Sequence, residues 1–248
     1  MLEFQCDANA FTGKTILVTG AGAGIGRSAA ISYAKHGATV ILLGRTTKKL
    51  ETVYDEIVAA GYPEPAIVPL DMGGATEQNF IDFGETIDEQ FGQLDGVLHN
   101  ASELGTLTPF EQIDLDTFTK VMQINVTSQL FLTKALLPVL RKAPQASIVF
   151  TSSGVGRKGR AFWGPYAISK FATEGMMQTL ADELSDSSIR ANCINPGATR
   201  TKMRATAFPA EDPQSLKTAD DIMPVYLYLM SDDSKDVSGQ SLDAQPKR

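Results

Sequence analysis

The sequence predicts an α/β fold in which a doubly wound parallel sheet of about seven strands is flanked by helices. Short apolar, strand-like runs alternate with longer helix-compatible runs along nearly the whole chain, which favours a parallel sheet with helices on both faces. The first strand-like run leads into a glycine-rich string, as at a strand-to-helix turn. With 248 residues, 43% of them hydrophobic, and with no repeat or linker, residues 1–248 are expected to form a single domain.

The glycine-rich string TGAGAGIG follows the first predicted strand, residues 14–19, and precedes a helix that is expected to reach about His36. Glycines at such a turn let backbone amides approach a pyrophosphate, and the helix N-terminus favours negative charge there. We therefore predict a Rossmann fold with a dinucleotide site rather than a merely tight turn. The cofactor contacts predicted in this string are Gly20, Ala23, Gly24, Ile25 and Gly26.

The second predicted strand, residues 39–43, ends at a position where an NAD-specific site usually carries an acidic residue for the ribose hydroxyls. Here the strand is followed by Gly44 and Arg45, with Lys48 and Lys49 close behind. A guanidinium can pair with a 2′-phosphate through charge-assisted hydrogen bonds. The alternative is that these are solvated charges at the start of a helix. We expect NADP(H) to be preferred over NAD(H).

The third and fourth predicted strands, residues 66–70 and 95–102, also end in polar residues. Asp71 follows the third strand and either hydrogen-bonds the adenine amine or caps the next helix. Asn100 and Ala101 stand at the carboxyl end of the fourth strand, so we expect them to line the cofactor crevice.

The run SSGVGRKGRAFWGPYAISK, residues 152–170, carries the predicted chemistry. Tyr166 and Lys170 are four residues apart in a helix-compatible segment, so they share one face. A fixed cation beside a phenol favours the phenolate, and we expect Lys170 to lower the pKa of Tyr166 toward working pH. Ser153 lies thirteen residues upstream at the end of a strand, where its hydroxyl can bind the same substrate oxygen. A Tyr-x-x-x-Lys pair alone is weak evidence, but it accompanies a nucleotide-binding signature.

The remaining segments complete the alternation. A long helical run at residues 115–142, interrupted by polar positions, contains Asn125, which is either tolerated there or, if buried, must find hydrogen-bond partners. A sixth strand at residues 189–194 leads to the sequence NPG. Residues 200–217, rich in Met, Phe, Pro and charge, are expected to form a mobile lid over the substrate. A helix near residues 220–230 and a strand near 240–243 close the domain.

Charge and composition exclude several classes of partner. The net charge of −7 argues against nucleic acid and anionic membrane surfaces, and a small-molecule partner fits better. The two cysteines, Cys6 and Cys193, form no CxxC or Cys/His metal spacing, and His99 is expected to be structural, so no metal site is predicted. No signal-like N-terminus or long apolar window is present, which predicts a cytoplasmic protein that does not enter membranes.

These motifs together resemble the short-chain dehydrogenase/reductase family over residues 14–244. TGxxxGxG, NA after the fourth strand, INV, S-x12-Y-x3-K and NPGxT occur in the family's order and spacing. Stretches such as GVLHNA, KFATEGMMQ and DIMPVYLYLM resemble a little-characterised bacterial YciK-type branch of oxidoreductases. The sequence departs from the family pattern at residues 99–102, where HNAS replaces the common NNAG, and Ser102 puts the shape of the pocket in question.

The resemblance implies hydride transfer between NADP(H) and a carbonyl or secondary alcohol. Tyr166 then matches the general acid/base, Lys170 the residue that lowers its pKa and holds the nicotinamide ribose, and Ser153 the binder of the substrate oxygen. Asn125 matches the helix residue that places a water for a proton relay. The remaining cofactor contacts that the resemblance implies are Asp71, Asn100, Ala101, Pro196, Gly197 and Thr199. Family members are usually homodimers or homotetramers.

Alternative functions remain at this stage. A nicotinamide-sensing binding protein without turnover is one, although a sensor has no need of the full Asn125, Ser153, Tyr166 and Lys170 set. A redox-neutral epimerase or dehydratase is another, but it usually has a longer chain. Three basic residues between Ser153 and Tyr166 raise the possibility of an anionic substrate, although exposed charges are the simpler interpretation; they are Arg157, Lys158 and Arg160.

Overall fold

The structure is a computed structural model that describes residues 4–245, and it contains one sheet of parallel strands. The strands are β1 (Thr15–Thr19), β2 (Thr39–Gly44), β3 (Ala66–Pro69), β4 (Gly96–His99), β5 (Ala146–Thr151), β6 (Ile189–Asn195) and β7 (Ser241–Asp243). Their order in the sheet is β3-β2-β1-β4-β5-β6-β7, and every pair is parallel. The predicted seven-stranded parallel sheet is therefore confirmed. The ends of the predicted domain, residues 1–3 and 246–248, lie outside the described residues.

Helices cover both faces of the sheet. They are α1 (Gly24–Lys35), α2 (Thr47–Ala59), α3 (Glu77–Phe91), α4 (Leu115–Met122), α5 (Ser128–Leu140), α6 (Gly164–Glu183), α7 (Lys202–Ala207) and α8 (Met223–Met230). One core contains α1, α2 and α8 and the other contains α3, α5 and α6. Successive residues of a strand enter opposite cores: Ile16 and Val18 pack with α1, and Leu17 packs on the other side. This explains why the strands read as continuous apolar runs.

The long helix predicted for residues 115–142 is divided, as its polar positions indicated. A π-helical turn at Gln123–Thr127 separates α4 from α5 and contains Asn125. Ser128 stabilises the widened turn because its Oγ lies 2.8 Å from the carbonyl oxygens of both Gln123 and Met72, either of which can accept its proton. Single π-helical turns of this kind are frequent at functional sites.

The strand order reverses between β1 and β4, and this reversal creates a crevice at the carboxyl ends of the two strands. Thr19, the last residue of β1, joins them: its Oγ1 accepts from the backbone amides of Asn100 and Ala101 at 2.9 and 3.0 Å. The side-chain amide of Asn100 donates back to the carbonyl oxygen of Thr19 at 3.3 Å. The two residues predicted to line the crevice are thus held at its floor.

Residues 200–217, predicted to be a mobile lid, have internal structure. They contain the short helix α7, and their two ends meet where Thr199 pairs with Lys217 and the amide of Arg200 donates to the Lys217 carbonyl oxygen at 2.8 Å. The mobility of this lid stays a prediction. Within residues 4–245, none of the helices has both the length and the apolar composition needed to cross a bilayer.

Gly26 provides a test of the close packing behind the glycine turn. A Cβ at this position in α1 would lie 2.3 Å from the carbonyl oxygen of Gly20, whereas a Cβ at Gly175 in α6 would meet nothing within 4 Å. We expect Gly26→Ala to lower the free energy of unfolding by about 1–3 kcal/mol because of overpacking. The matched control Gly175→Ala should raise it by about 0.5–1 kcal/mol, since alanine favours a helix interior. Urea denaturation measures both, and equal effects of the two variants would contradict the packing argument.

Candidate active site

Two adjoining cavities lie over the carboxyl ends of the strands, with volumes of about 330 and 310 Å³. They share Gly20, Ala23, Ala101 and Ser102, so together they form one trough across the strand-order reversal. Most of the residues predicted from sequence line it. Those in the first cavity are Gly20, Ala23, Gly24, Ile25, Asn100, Ala101, Ser153, Tyr166, Lys170, Pro196, Gly197 and Thr199, and those found only in the second are Arg45 and Asp71.

The glycine turn has the close backbone approach that a dinucleotide site requires. Gly20 has φ of +68°, and a Cβ there would lie 3.0 Å from Cα of Ala101. Gly26 lines neither cavity, because it packs behind the turn against Gly20 and Asn100. Its part is therefore to let α1 approach the strands. The shape of the glycine turn and its backbone amides suit a pyrophosphate bound at the N-terminus of α1.

The second cavity carries positive charge at the end of β2. Arg45 and Lys49 both line it, both are exposed, and neither forms an ion pair within residues 4–245. Asp71 lines the same cavity, and its Oδ1 accepts from the amide of Gly73 at 3.0 Å. The alternative that Asp71 caps the next helix is wrong, because the capping residue of α3 is Thr76.

Tyr166 and Lys170 lie one turn apart near the start of α6, as their spacing predicted. Lys170 Nζ is 5.4 Å from the centroid of the Tyr166 ring and donates to the carbonyl oxygen of Thr151 at 2.8 Å. Both residues are buried, with exposed fractions of 7% for Tyr166 and 1% for Lys170. Gly156 makes this possible because a Cβ there would lie 2.9 Å from the backbone of Lys170. Ser153 faces the same cavity from the end of β5.

The protonation of this pair differs from the sequence-based expectation. Burial raises the pKa of Tyr166 to about 12, although the hydroxyls of Ser102 and Ser153 act in the opposite direction. Burial also lowers the pKa of Lys170 to about 8, against the influence of Cys193 and Glu174. The expectation that Lys170 brings the Tyr166 pKa down to working pH is therefore wrong for the protein alone, because desolvation disfavours both charged forms. At neutral pH the phenol holds its proton and is available as a donor.

Asn125 is fully buried and lines neither cavity. Its Oδ1 accepts from the amide of Glu103 at 2.7 Å, and its Nδ2 donates to the Glu103 carbonyl oxygen and to Ser169 Oγ, both at 2.9 Å. Both N–H groups of the side-chain amide, and its oxygen, thus hold the segment after β4 against α6. Its role in placing a relay water stays a prediction.

A buried polar network lies behind Lys170, and the sequence did not predict it. Glu174, one turn after Lys170, accepts through Oε1 from Ser152 at 2.5 Å and from Ser241 at 2.8 Å, and Arg157 Nε lies 3.6 Å from that atom. Arg157 also donates to Asp243 Oδ1 at 2.6 Å. The only sequence signal was the spacing of Glu174 from Lys170, which does not reveal a partner on β7.

The structure supports the simpler interpretation of the basic residues before Tyr166, since Arg157, Lys158 and Arg160 are all exposed. Arg157 joins α6 to β7, and Arg160 lies over the rings of Trp163 and Phe208 at 5.8 and 5.1 Å. Neither residue lines the trough, nor does Lys158. The first cavity is lined in part by the apolar residues Leu104, Trp163, Met203 and Ala207, with Lys202 and Arg204 beside them.

The loop after β6 is held by a residue close to the C-terminal end of the described chain. Gln245 Nε2 lies 2.8 and 3.1 Å from the carbonyl oxygens of Pro196 and Ala198 and 3.2 Å from Thr199 Oγ1, so its two N–H groups are shared among these three acceptors. Thr199 Oγ1 donates in turn to the Pro196 carbonyl oxygen at 3.1 Å. The predicted nicotinamide contacts therefore depend on a side chain about fifty positions away.

His99 is structural, in agreement with the sequence-based interpretation. It is fully buried, stacks on Phe150, and its Nε2 lies 2.9 Å from Thr133 Oγ1. Burial lowers the pKa of His99 to about 3, so the ring is neutral. Across residues 4–245, no group of three or more His, Cys, Asp or Glu side chains is placed to hold a metal ion.

The buried amine of Lys170 predicts a distinct pH dependence of stability. Its pKa is about 8 in the fold against an ordinary 10.5, so between these values the unfolded chain binds a proton that the folded protein has released. Wild type should gain stability relative to Lys170→Met as the pH rises from about 8 to about 10.5. Urea denaturation at several pH values measures this, with Lys48→Met as the control for loss of an exposed lysine. A pH-independent difference between wild type and Lys170→Met would contradict the burial effect.

Comparison with known proteins agrees with this geometry. The uncharacterized oxidoreductase YciK from Escherichia coli (strain K12) is 52% identical over 247 residues, covering 100% of this chain and 98% of its own length. The solved structure of an oxidoreductase, YciK from E. coli, has a TM-score of 0.96 at 52% identity and covers 99% of this chain and 100% of its own.

Two further similar structures contain a cofactor. A protein from Shigella flexneri, assigned as a short chain dehydrogenase and complexed with NADP, has a TM-score of 0.95 at 53% identity. One from E. coli CFT073, assigned in the same way and complexed with NADPH, has a TM-score of 0.95 at 52% identity. Each covers 97% of this chain and 100% of its own. The family model for short chain dehydrogenases matches residues 14–212. The chain therefore belongs to the short chain dehydrogenase family of oxidoreductases, as its motifs predicted.

Proposed function

We propose that this protein is an NADP(H)-dependent oxidoreductase that interconverts a carbonyl compound and its secondary alcohol, with Tyr166 as the general acid/base. The observation that carries the proposal is the convergence of Tyr166, Lys170 and Ser153 in a cavity that is continuous with the glycine turn. A proton donor, a hydroxyl and an ammonium beside a dinucleotide trough are what carbonyl reduction requires.

The residues around the trough suit the two ends of the cofactor. Arg45 and Lys49 would hold a 2′-phosphate, Asp71 the adenine end, and the loop of Pro196, Gly197 and Thr199 the nicotinamide end. The absence of an acid after β2 and the similar structures solved with NADP and NADPH support this choice. When bound, the nicotinamide supplies or accepts the hydride.

The side chains divide the proton chemistry among them. Ser153 hydrogen-bonds the substrate oxygen and orients it toward Tyr166, whose hydroxyl gives its proton to that oxygen in reduction and accepts it in oxidation. Lys170 places positive charge near the phenol and stabilises the phenolate that forms. The lowered pKa of Lys170 suits it to return a proton near neutral pH. Asn125 holds the segment that carries Ser102 and Glu103 in register with α6.

The lining of the first cavity favours a substrate with an apolar body. Leu104, Trp163 and Met203 surround its substrate end, and the guanidinium of Arg204 is neutralised there by both carboxylate oxygens of Glu211 at 2.6 and 2.7 Å. We propose that residues 200–217 act as the lid over this substrate, within a single domain. α7 supports this, because Lys202, Met203 and Ala207 line the cavity.

We further propose a cytoplasmic homodimer or homotetramer. Large apolar side chains are exposed on α4, α5 and α6, and they would be covered by a second copy: Leu115 (75% exposed), Leu130 (48%), Phe171 (46%) and Ile168 (39%). The negative net charge supports a small-molecule substrate over nucleic acid or an anionic membrane.

Replacing the phenol tests the reaction directly. Tyr166→Phe should lower NADPH consumption by about 10²- to 10⁴-fold with any ketone, aldehyde, quinone or β-ketoacyl thioester that wild type reduces, because the proton donor is lost. NADPH binding should persist in the variant, and Tyr62→Phe should keep full activity as the matched control. Turnover that survives in Tyr166→Phe would reject its role. Wild-type NADPH binding without turnover of any compound would favour the sensor alternative, and a redox-neutral product would favour an epimerase or dehydratase.

The cofactor preference rests on one exposed cation. Arg45→Asp should lower the ratio of kcat/KM for NADPH over NADH by about 10- to 100-fold, because a charge-assisted contact is replaced by repulsion. Lys48→Asp makes the same change in charge at a neighbouring position that does not line the trough, and it should leave the ratio nearly unchanged. Equal ratios in wild type and Arg45→Asp would remove the argument for a 2′-phosphate site.

A further inference from the structure

We propose that Ser102 is a second hydrogen-bond donor to the phenol oxygen of Tyr166, alongside Ser153, and that it stabilises the phenolate whenever Tyr166 gives up its proton. This inference rests on the proposed role of Tyr166 as the acid/base. It assigns a function to the position at which the sequence departs from the family's common glycine.

The Ser102 hydroxyl is buried. Its Oγ lies where the two cavities meet, and apart from the Tyr166 phenol no group within residues 4–245 is placed to bond it. Buried polar atoms are nearly always paired, and the phenol of Tyr166, which lines the same cavity, can supply the partner. A neutral phenol and a hydroxyl need not bond strongly, whereas a phenolate accepts a short, charge-assisted hydrogen bond.

The backbone around Ser102 is fixed from both sides. Thr19 Oγ1 accepts from the amides of Asn100 and Ala101, and the Asn125 side chain binds both the amide and the carbonyl oxygen of Glu103. The hydroxyl therefore sits on a clamped segment and does not need to be brought into place by loop movement. Preorganised donors of this kind are most effective where charge develops.

The electrostatics of the phenol agree with this geometry. Burial raises the pKa of Tyr166, and the hydroxyls that lower it are those of Ser102 and Ser153, with Ser102 having the larger effect. Lys170 directs its ammonium to the Thr151 carbonyl oxygen. The hydroxyls of Ser102 and Ser153 are thus the groups that favour the ionised phenol in the protein alone.

The test measures the pKa of the Tyr166 phenol and does not require turnover of a substrate. The protein is produced with 3,5-difluorotyrosine, which lowers the pKa of every phenol so that Tyr166 titrates where the fold is intact. Its ¹⁹F NMR signal is assigned by its loss in Tyr166→Phe. Ser102→Ala should raise the Tyr166 pKa by about one unit or more, the usual effect of losing a hydrogen bond to a charged group. Ser153→Ala is the positive control and should raise it also.

Two further variants separate hydrogen bonding from structure. Ser102→Thr keeps the hydroxyl and should retain the wild-type pKa, whereas Ser102→Gly removes it without adding a methyl group and should repeat the effect of alanine. The proposal would be overturned if the Tyr166 pKa were unchanged in both Ser102→Ala and Ser102→Gly while it was raised in Ser153→Ala. A hydroxyl that served only a bound ligand would give this negative result.

The same variants distinguish this inference from the proposed function. If Ser102 acts on Tyr166, the pH at which alcohol oxidation by NADP⁺ becomes fast should move upward in Ser102→Ala by the same amount as the phenol pKa. A shifted phenol pKa in a protein that turns over no substrate would reject the proposed reaction and leave the Ser102 hydrogen bond established.

Discussion

The junction between β1 and β4 is the constraint on which the rest of the site depends. Strand order reverses there, and Thr19 ties the two carboxyl ends together through the amides of Asn100 and Ala101. With the floor fixed in this way, α1 can approach only if Gly26 lacks a side chain, and Gly20 must adopt its left-handed conformation. The glycine motif is thus a consequence of how closely two strands and a helix meet.

Burial of Tyr166 and Lys170, the proposed catalytic pair, is the second constraint on the site. Tyr166 and Lys170 lie in the cavity wall with little exposure, and each is held toward its neutral form by desolvation. Fixed dipoles compensate in part: the Thr151 carbonyl oxygen accepts from Lys170, and the Ser102 and Ser153 hydroxyls face the phenol. Such a site sacrifices stability for groups whose charge changes within the reaction.

The site is also held by contacts with residues distant in the chain, and no local sequence pattern predicts these contacts. Glu174 connects α6 to β7 through Ser241, and Gln245 holds the Thr199 loop from the far end of the chain. Arg157, for which the sequence left an exposed charge and a substrate contact as alternatives, adds to this support by pairing with Asp243. They also make the last described residues of the chain part of the active-site scaffold.

Local sequence patterns were sufficient to predict the order of strands and helices, the family, and most of the residues that line the trough. The reason is that a strand, a glycine turn and a Tyr-x-x-x-Lys helix face are each encoded within a few neighbouring residues, and parallel strands bring their carboxyl ends to one edge. The sequence alone therefore predicted Ser153, Tyr166, Lys170 and Arg45 as members of one site. Tertiary structure alone decided the pKa of the phenol, the clamp made by Asn125, the pairing of Arg157 and the burial of the Ser102 hydroxyl beside the trough. Each of these depends on burial and on partners distant in the chain, and desolvation and long-range pairing are properties of the folded assembly.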